Sequence, residues 1–167
     1  MEPTNSPHDS VAVANFFIQK SLDTGVEVTP MKLLKLVYIA HGWSLGLLNE
    51  PLIDEAVEAW TYGPVIPSLY HELKGYGRER VTKLVTNFEW NNLIHGFSTP
   101  VIPEEDTRTR TLLENVWQAY GISYSGLYLS AITHKPGTPW SLTPPNSIIG
   151  QDVIKEHYRM LAKAPAK

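Results

Sequence analysis

At 167 residues, with 43% hydrophobic and 19% charged side chains, the chain is long enough to bury one substantial core, and a single compact domain is the default. Its formal net charge of −3, from 14 basic and 17 acidic residues, gives no general pull toward phosphate backbones or anionic membranes. The absence of cysteine excludes a disulfide framework, a Cys-based zinc site and a thiol nucleophile, and fits a cytoplasmic protein.

The opening stretch, MEPTNSPHDS, is acidic and proline-containing and has no basic region ahead of an apolar one, so no secretion signal is expected. Residues 1–9 are predicted to be a flexible tail, 10–163 one domain and 164–167 a short C-terminal tail. Asp9 or Ser10 can cap a first helix in which Val11, Ala14, Ile18 and Leu22 share a face with Phe17 beside them, and Gly25 ends it.

The second helix has the strongest local signals: Thr29 as N-cap, Pro30 at the first helical position, then MKLLKLVYIAHGWSLGLL. Only a thin stripe of Lys32, Lys35, Gly42 and Gly46 interrupts its apolar surface, so it belongs in the middle of a bundle, where the two glycines let a neighbour approach. Lys35 and His41 lie in its most apolar run, 33–48, which is shorter than the ~20 residues that cross a bilayer.

EAWTYGPVIPSLYHEL follows as residues 58–73. Val57, Ala59 and Thr61 alternate with Glu58, Trp60 and Tyr62 as in a half-buried strand, Gly63-Pro64 is expected to stop it, and Pro67 opens a third helix. In that helix Leu69, Tyr70 and Leu73 share a face, and Gly75 is the expected C-terminal cap. Residues 81–86, VTKLVT, read as another short strand, whereas 88–103 has no sustained period. Asp106 or Thr107 starts a fourth helix with Leu113, Val116, Trp117 and Tyr120 on one face, and Ser125 caps a fifth that Pro136 ends. A proline-rich connector leads to a last helix expected to bury Val153, Ile154, Tyr158 and Leu161. The predicted fold is mainly α (α+β), about six helices with a small β element near 56–62.

The motifs that would carry chemistry fall short. HELKG (71–75) has Gly75 where the second zinc ligand must stand, and GISYSG (121–126) has Ser125 where a nucleophile elbow needs glycine. Glu104, Glu105 and Asp106 sit at a helix start, where capping accounts for acids. His41 reads as a satisfied core histidine and His71 as a solvated one; Arg78, Arg80 and Lys83 are interrupted by Glu79 and read as a solvated turn. No catalytic, cofactor-binding or metal-binding residue is assigned, and nucleic-acid and membrane partners are not expected.

The order MKLLKLVYIAHGWSL, EAWTYGPVIPSLYHELKGYG and LYLSAITHKPGTPW resembles the Panacea domain of SocA-like and GepA-like antitoxins, from about Val11 to Leu161. The resemblance implies a non-enzymatic bacterial, prophage or phage antitoxin that neutralises a nearby-encoded protein toxin by binding it, or in SocA-like members delivers it as an adaptor to a cellular protease. A small enzyme using the Tyr, Trp and His side chains of 58–73 is the remaining alternative. Trp43, Trp117 and Tyr158 are assigned to packing, while Tyr62, Tyr76, Arg78, Tyr124 and Tyr128, near element ends, are the candidate partner contacts.

Overall fold

In the computed structural model, which describes residues 7–90 and 95–164, the chain is arranged around one buried helix. That helix, α2 (Pro30–Trp43), starts at the Thr29 N-cap and continues into a π-helical turn, Ser44–Leu48. Around it pack α1 (Ser10–Thr24), α3 (Pro67–Leu73), α4 (Thr107–Val116), α5 (Gly126–His134) and α6 (Gln151–Lys163). Two antiparallel hairpins complete the regular structure: β1 (Glu58–Trp60) with β2 (Gly63–Val65), and β3 (Asn87–Trp90) with β4 (His95–Ser98). The mainly helical α+β architecture agrees with the expectation.

Local chemistry sets the helix starts. Asp9, Thr29, Asp106 and Ser125 each use a side-chain oxygen to accept from a first-turn amide, satisfying a donor that the helix itself leaves unpaired. Gly25 closes α1 at φ 78°, a left-handed conformation that favours glycine. The core centres on Leu33, Leu36, Val37 and Tyr38 of α2, Phe17 and Ile18 of α1, and Trp117, all essentially inaccessible. Phe17 and Trp117 stack with ring centroids 6.3 Å apart.

Several expectations are corrected. Gly63-Pro64 does not stop the strand: Thr61 and Tyr62 form the turn, and Gly63 opens the return strand with Trp60 paired to Gly63 and Ala59 to Pro64. A proline is tolerated in β2 because Ala59 points its amide and carbonyl the other way, to the Ser147 carbonyl at 3.0 Å and the Asn146 amide at 2.7 Å. The α3 region runs past Gly75 through a 3₁₀ turn, Lys74–Tyr76, and ends at Gly77, which has φ 58°. Residues 81–86 are not a strand, since the Val81 amide goes to the Val28 carbonyl and the Val85 amide to the Asn15 side chain. Leu22, Val153, Leu161 and Tyr70 are exposed rather than buried, so α6 meets the body on a narrow stripe of Ile154 and Tyr158.

His8 and Asp9, placed in the expected tail, are anchored. His8 is buried, its Nε2 lies 2.9 Å from Asp106, and its amide donates to the Leu52 carbonyl at 2.7 Å. The rest of the two predicted tails, 1–6 and 165–167, lies outside the described residues.

Gly42 and Gly46 are where α6 reaches α2. A methyl group at Gly42 would overlap the Tyr158 ring, and one at Gly46 would lie 3.1 Å from the Arg159 amide nitrogen. Gly42→Ala is therefore expected to destabilise by about 1–3 kcal/mol in urea unfolding, despite the gain of up to ~1 kcal/mol in helix propensity. Gly75→Ala, with open space at its Cβ, should be close to neutral, and equal effects of the two substitutions would contradict this packing.

Candidate partner-binding face

Lys35, on α2, is 1% exposed, and its Nζ donates to the Pro64 carbonyl at 2.9 Å. Gly63 passes so close that a Cβ there would sit 3.0 Å from Nζ, and its φ of 113° also excludes most side chains. Burial disfavours the ammonium form and lowers the Lys35 pKa to about 7. Two further side chains grip the same hairpin: Ser130 of α5 donates to the Tyr62 carbonyl and the Trp140 indole to the Trp60 carbonyl, both at 2.6 Å. The carbonyls of residues 60, 62 and 64 are thus each taken by a different element.

So fixed, the hairpin presents Tyr62 at 68% exposure. Between it, the first turn of α2 and α3 lies a groove of about 410 Å³, lined chiefly by Met31, Leu34, Trp60, Tyr62, Tyr70 and Lys74. Trp60 and Tyr70 meet edge to face, centroids 5.1 Å apart. Among the described residues, no acidic side chain lines the groove. Exposed or half-exposed aromatics beside a methionine are residue types enriched in protein-binding surfaces.

The structure does not gather the five predicted contacts into one patch. Tyr62 lines the groove, and Tyr76 and Arg78 flank Gly77 at its edge; Tyr76 is half-buried against the core and Arg78 is exposed. Tyr124 and Tyr128 stack at 4.5 Å and line a different cavity of about 300 Å³ beside α6. Trp60, Tyr70, Met31 and Leu34 were not among the predicted contacts. The signal for Trp60 was present in the strand alternation, which puts it on the same side as Tyr62.

A larger depression of about 660 Å³ between α1 and α4 is lined by charges of both signs, and two of them, Lys20 and Glu114, pair with each other. His41, as expected, is a core histidine: its Nδ1 accepts from the Leu52 amide at 3.2 Å, and burial lowers its pKa to about 4. Asp106 at 2.9 Å and Thr109 at 3.5 Å both approach Nε2 of His8, whereas a nucleophile relay needs the acid and the hydroxyl on opposite ring nitrogens. Among the described residues no group of three or more His, Asp or Glu side chains can hold a metal ion, and no helix is long and apolar enough to cross a membrane.

Fold and face together define a small helical α+β domain that displays aromatic side chains on a buttressed hairpin. A family model described as "Antitoxin SocA-like, Panacea domain" matches residues 33–141, the span from α2 through the hairpin to the connector after α5. The chain is also 28% identical over 159 residues to "Antitoxin SocA" of Caulobacter vibrioides (strain NA1000 / CB15N), covering 90% of this chain and 82% of that protein. No solved structure matches significantly. The chain belongs to the SocA-like antitoxin family with a Panacea domain.

Lys35 gives the stability a specific pH dependence. Its folded pKa, about 7, lies below the ordinary 10.5, so between these values the unfolded chain binds a proton that the folded state has released. Stability therefore rises with pH above about 7, and the burial cost is full below it. Urea midpoints measured at about pH 7 and pH 9 should increase in the native sequence, and much less in Lys35→Met; parallel increases in both would contradict the assignment.

Proposed function

We propose that the chain neutralises a protein toxin encoded nearby by binding it directly through the groove and the exposed tip of the hairpin. The observation that carries this reading is the family match over residues 33–141, the part of the chain that supplies α2, the hairpin, α3 and α5. The face itself supports binding rather than turnover. Among the described residues its ionisable groups are two lysines and two tyrosines, which bring no carboxylate or imidazole into acid–base geometry. Its apolar lining offers anchor positions for a partner side chain. The proposed action is cytoplasmic.

The test is co-expression with the product of the adjacent open reading frame. Rescue of growth together with a complex on size exclusion is expected; a toxic neighbour with neither rescue nor complex would overturn the proposal. The toxin's half-life separates occlusion, which leaves it unchanged, from delivery to a protease, which shortens it. Tyr62→Ala should weaken the complex by about thirtyfold or more, the range of an interface hot spot, without moving the melting temperature, because the hairpin is held through backbone carbonyls. Unchanged affinity would remove Tyr62 from the contact.

A further inference from the structure

The groove beside the hairpin combines an apolar lining with a positive rim. Leu34 and Val65, 6% and 5% exposed, and the half-buried Met31 and Trp60 supply the apolar part. Lys74 is the exposed cation of the lining, since the amine of Lys35 is buried and spent on the Pro64 carbonyl. Among the described residues no Asp or Glu joins them.

Helix phase explains that bias. Lys74 follows Tyr70 by about one turn, so both lie on the flank of α3 that borders the groove. Glu72, two residues from each, does not face with them. Past Lys74 the chain turns at Gly77, which also lines the groove, and sets the exposed Arg78 at its edge; Glu79, the acid of that turn, follows outside the lining. No salt bridge among the described residues engages Lys74 or Arg78, whereas Arg80 is paired with Glu27 at 3.1 Å. The first turn of α2 lines the groove at Pro30 and Met31 and adds the partial positive charge of a helix N-terminus. A surface of this kind attracts a negatively charged segment and rejects a basic one. Two unpaired cations are too few to hold a phosphate backbone, and a volume of about 410 Å³ suits an anchoring side chain rather than a folded element.

We propose that the groove docks an acidic segment of a protein partner, one whose apolar anchor sits against Met31 and Trp60 while the carboxylates beside it face Lys74 and Arg78. The cations steer the segment in and set its sign; the apolar contact holds it. That the partner is a toxin rests on the function proposed above, but the charge and lining of the groove do not.

The probe is the blocked hexapeptide EEWLEE, with QQWLQQ and KKWLKK as charge controls, titrated to about 5 mM for binding in the ~1 mM range. The methionine methyl groups of the protein carry ¹³C, because Met31 lines the groove and Met160, 65% exposed on α6, reports from elsewhere. Saturable shifts of Met31 without Met160 are expected, strongest for EEWLEE and weakest for KKWLKK, with differences that narrow between about 20 and 300 mM salt. Lys74→Glu combined with Arg78→Glu, both at exposed positions, should weaken EEWLEE about tenfold and reverse the order. Lys135→Glu with Lys163→Glu, also exposed, should leave the order unchanged. No Met31 shift with any peptide, equal binding of the three, an equal loss in the control pair, or an equal Met31 response to a thymidine oligonucleotide would overturn the proposal. The expected order at Met31 in a chain that fails to rescue growth would leave the surface standing and remove the toxin as its occupant. Rescue of growth without any charge order would remove the acidic segment and leave neutralisation standing.

Discussion

The carbonyls of Trp60, Tyr62 and Pro64 are taken by the side chains of Trp140, Ser130 and Lys35 at 2.6, 2.6 and 2.9 Å. On these three bonds the placement of the hairpin depends. A two-stranded ribbon of three residues per strand is marginal by itself, so the surrounding elements must hold it. Lys35 is the costliest of the three, because its amine is taken from water for one carbonyl bond, and its pKa falls to about 7 as a result. Its long stem also reaches from α2 to the return strand β2, a reach no short polar side chain has.

The same bonds fix what surrounds the hairpin. Ser130 ties α5 to the hairpin, and Gly126, at the start of that helix, lies so near α2 that a Cβ would be 2.9 Å from the Lys32 amide nitrogen. The connector after α5 returns along the outer edge of β1, pairing the Ala59 amide and carbonyl that face away from β2 and bridging Val57 to Ile149. Two separate recesses result: the aromatic groove at Tyr62, walled by α2, the hairpin and α3, and the phenol-lined cavity between α5 and α6. The two groups of candidate tyrosines fall on these two recesses.

Much of the architecture was legible because its signals are local. A capping side chain and the amide it accepts from are two or three residues apart, and Thr29-Pro30 or Ser125 announces a helix wherever its neighbours lie. What was not legible depends on partners distant in sequence. Lys35 reads as a break in an apolar stripe until Pro64 is placed above it, and Gly63-Pro64 reads as a stop until residues 146–147 are seen to occupy the other edge of β1. His8 looks like part of a tail because its partner, Asp106, is 98 residues away. Leu161 has the right helical spacing for burial but lies near the free end of α6, and Tyr70 lies between the fully buried Leu69 and Leu73 on the flank of α3 that meets Trp60; spacing alone carries no information about either. For the face, the strand alternation already grouped Trp60 with Tyr62, whereas Met31 and Leu34 were hidden in a helix apolar on nearly every side.

The buttressed hairpin and its groove are the face proposed to meet a partner in this antitoxin-family protein. Amide hydrogen exchange of the chain, measured free and in complex with the protein encoded beside it, tests that most directly. Slowed exchange on binding is predicted in 30–35, 60–63 and 70–78, with the centre of α2 already protected in the free chain. Protection confined to the α1–α4 side, with the hairpin unchanged, would contradict it.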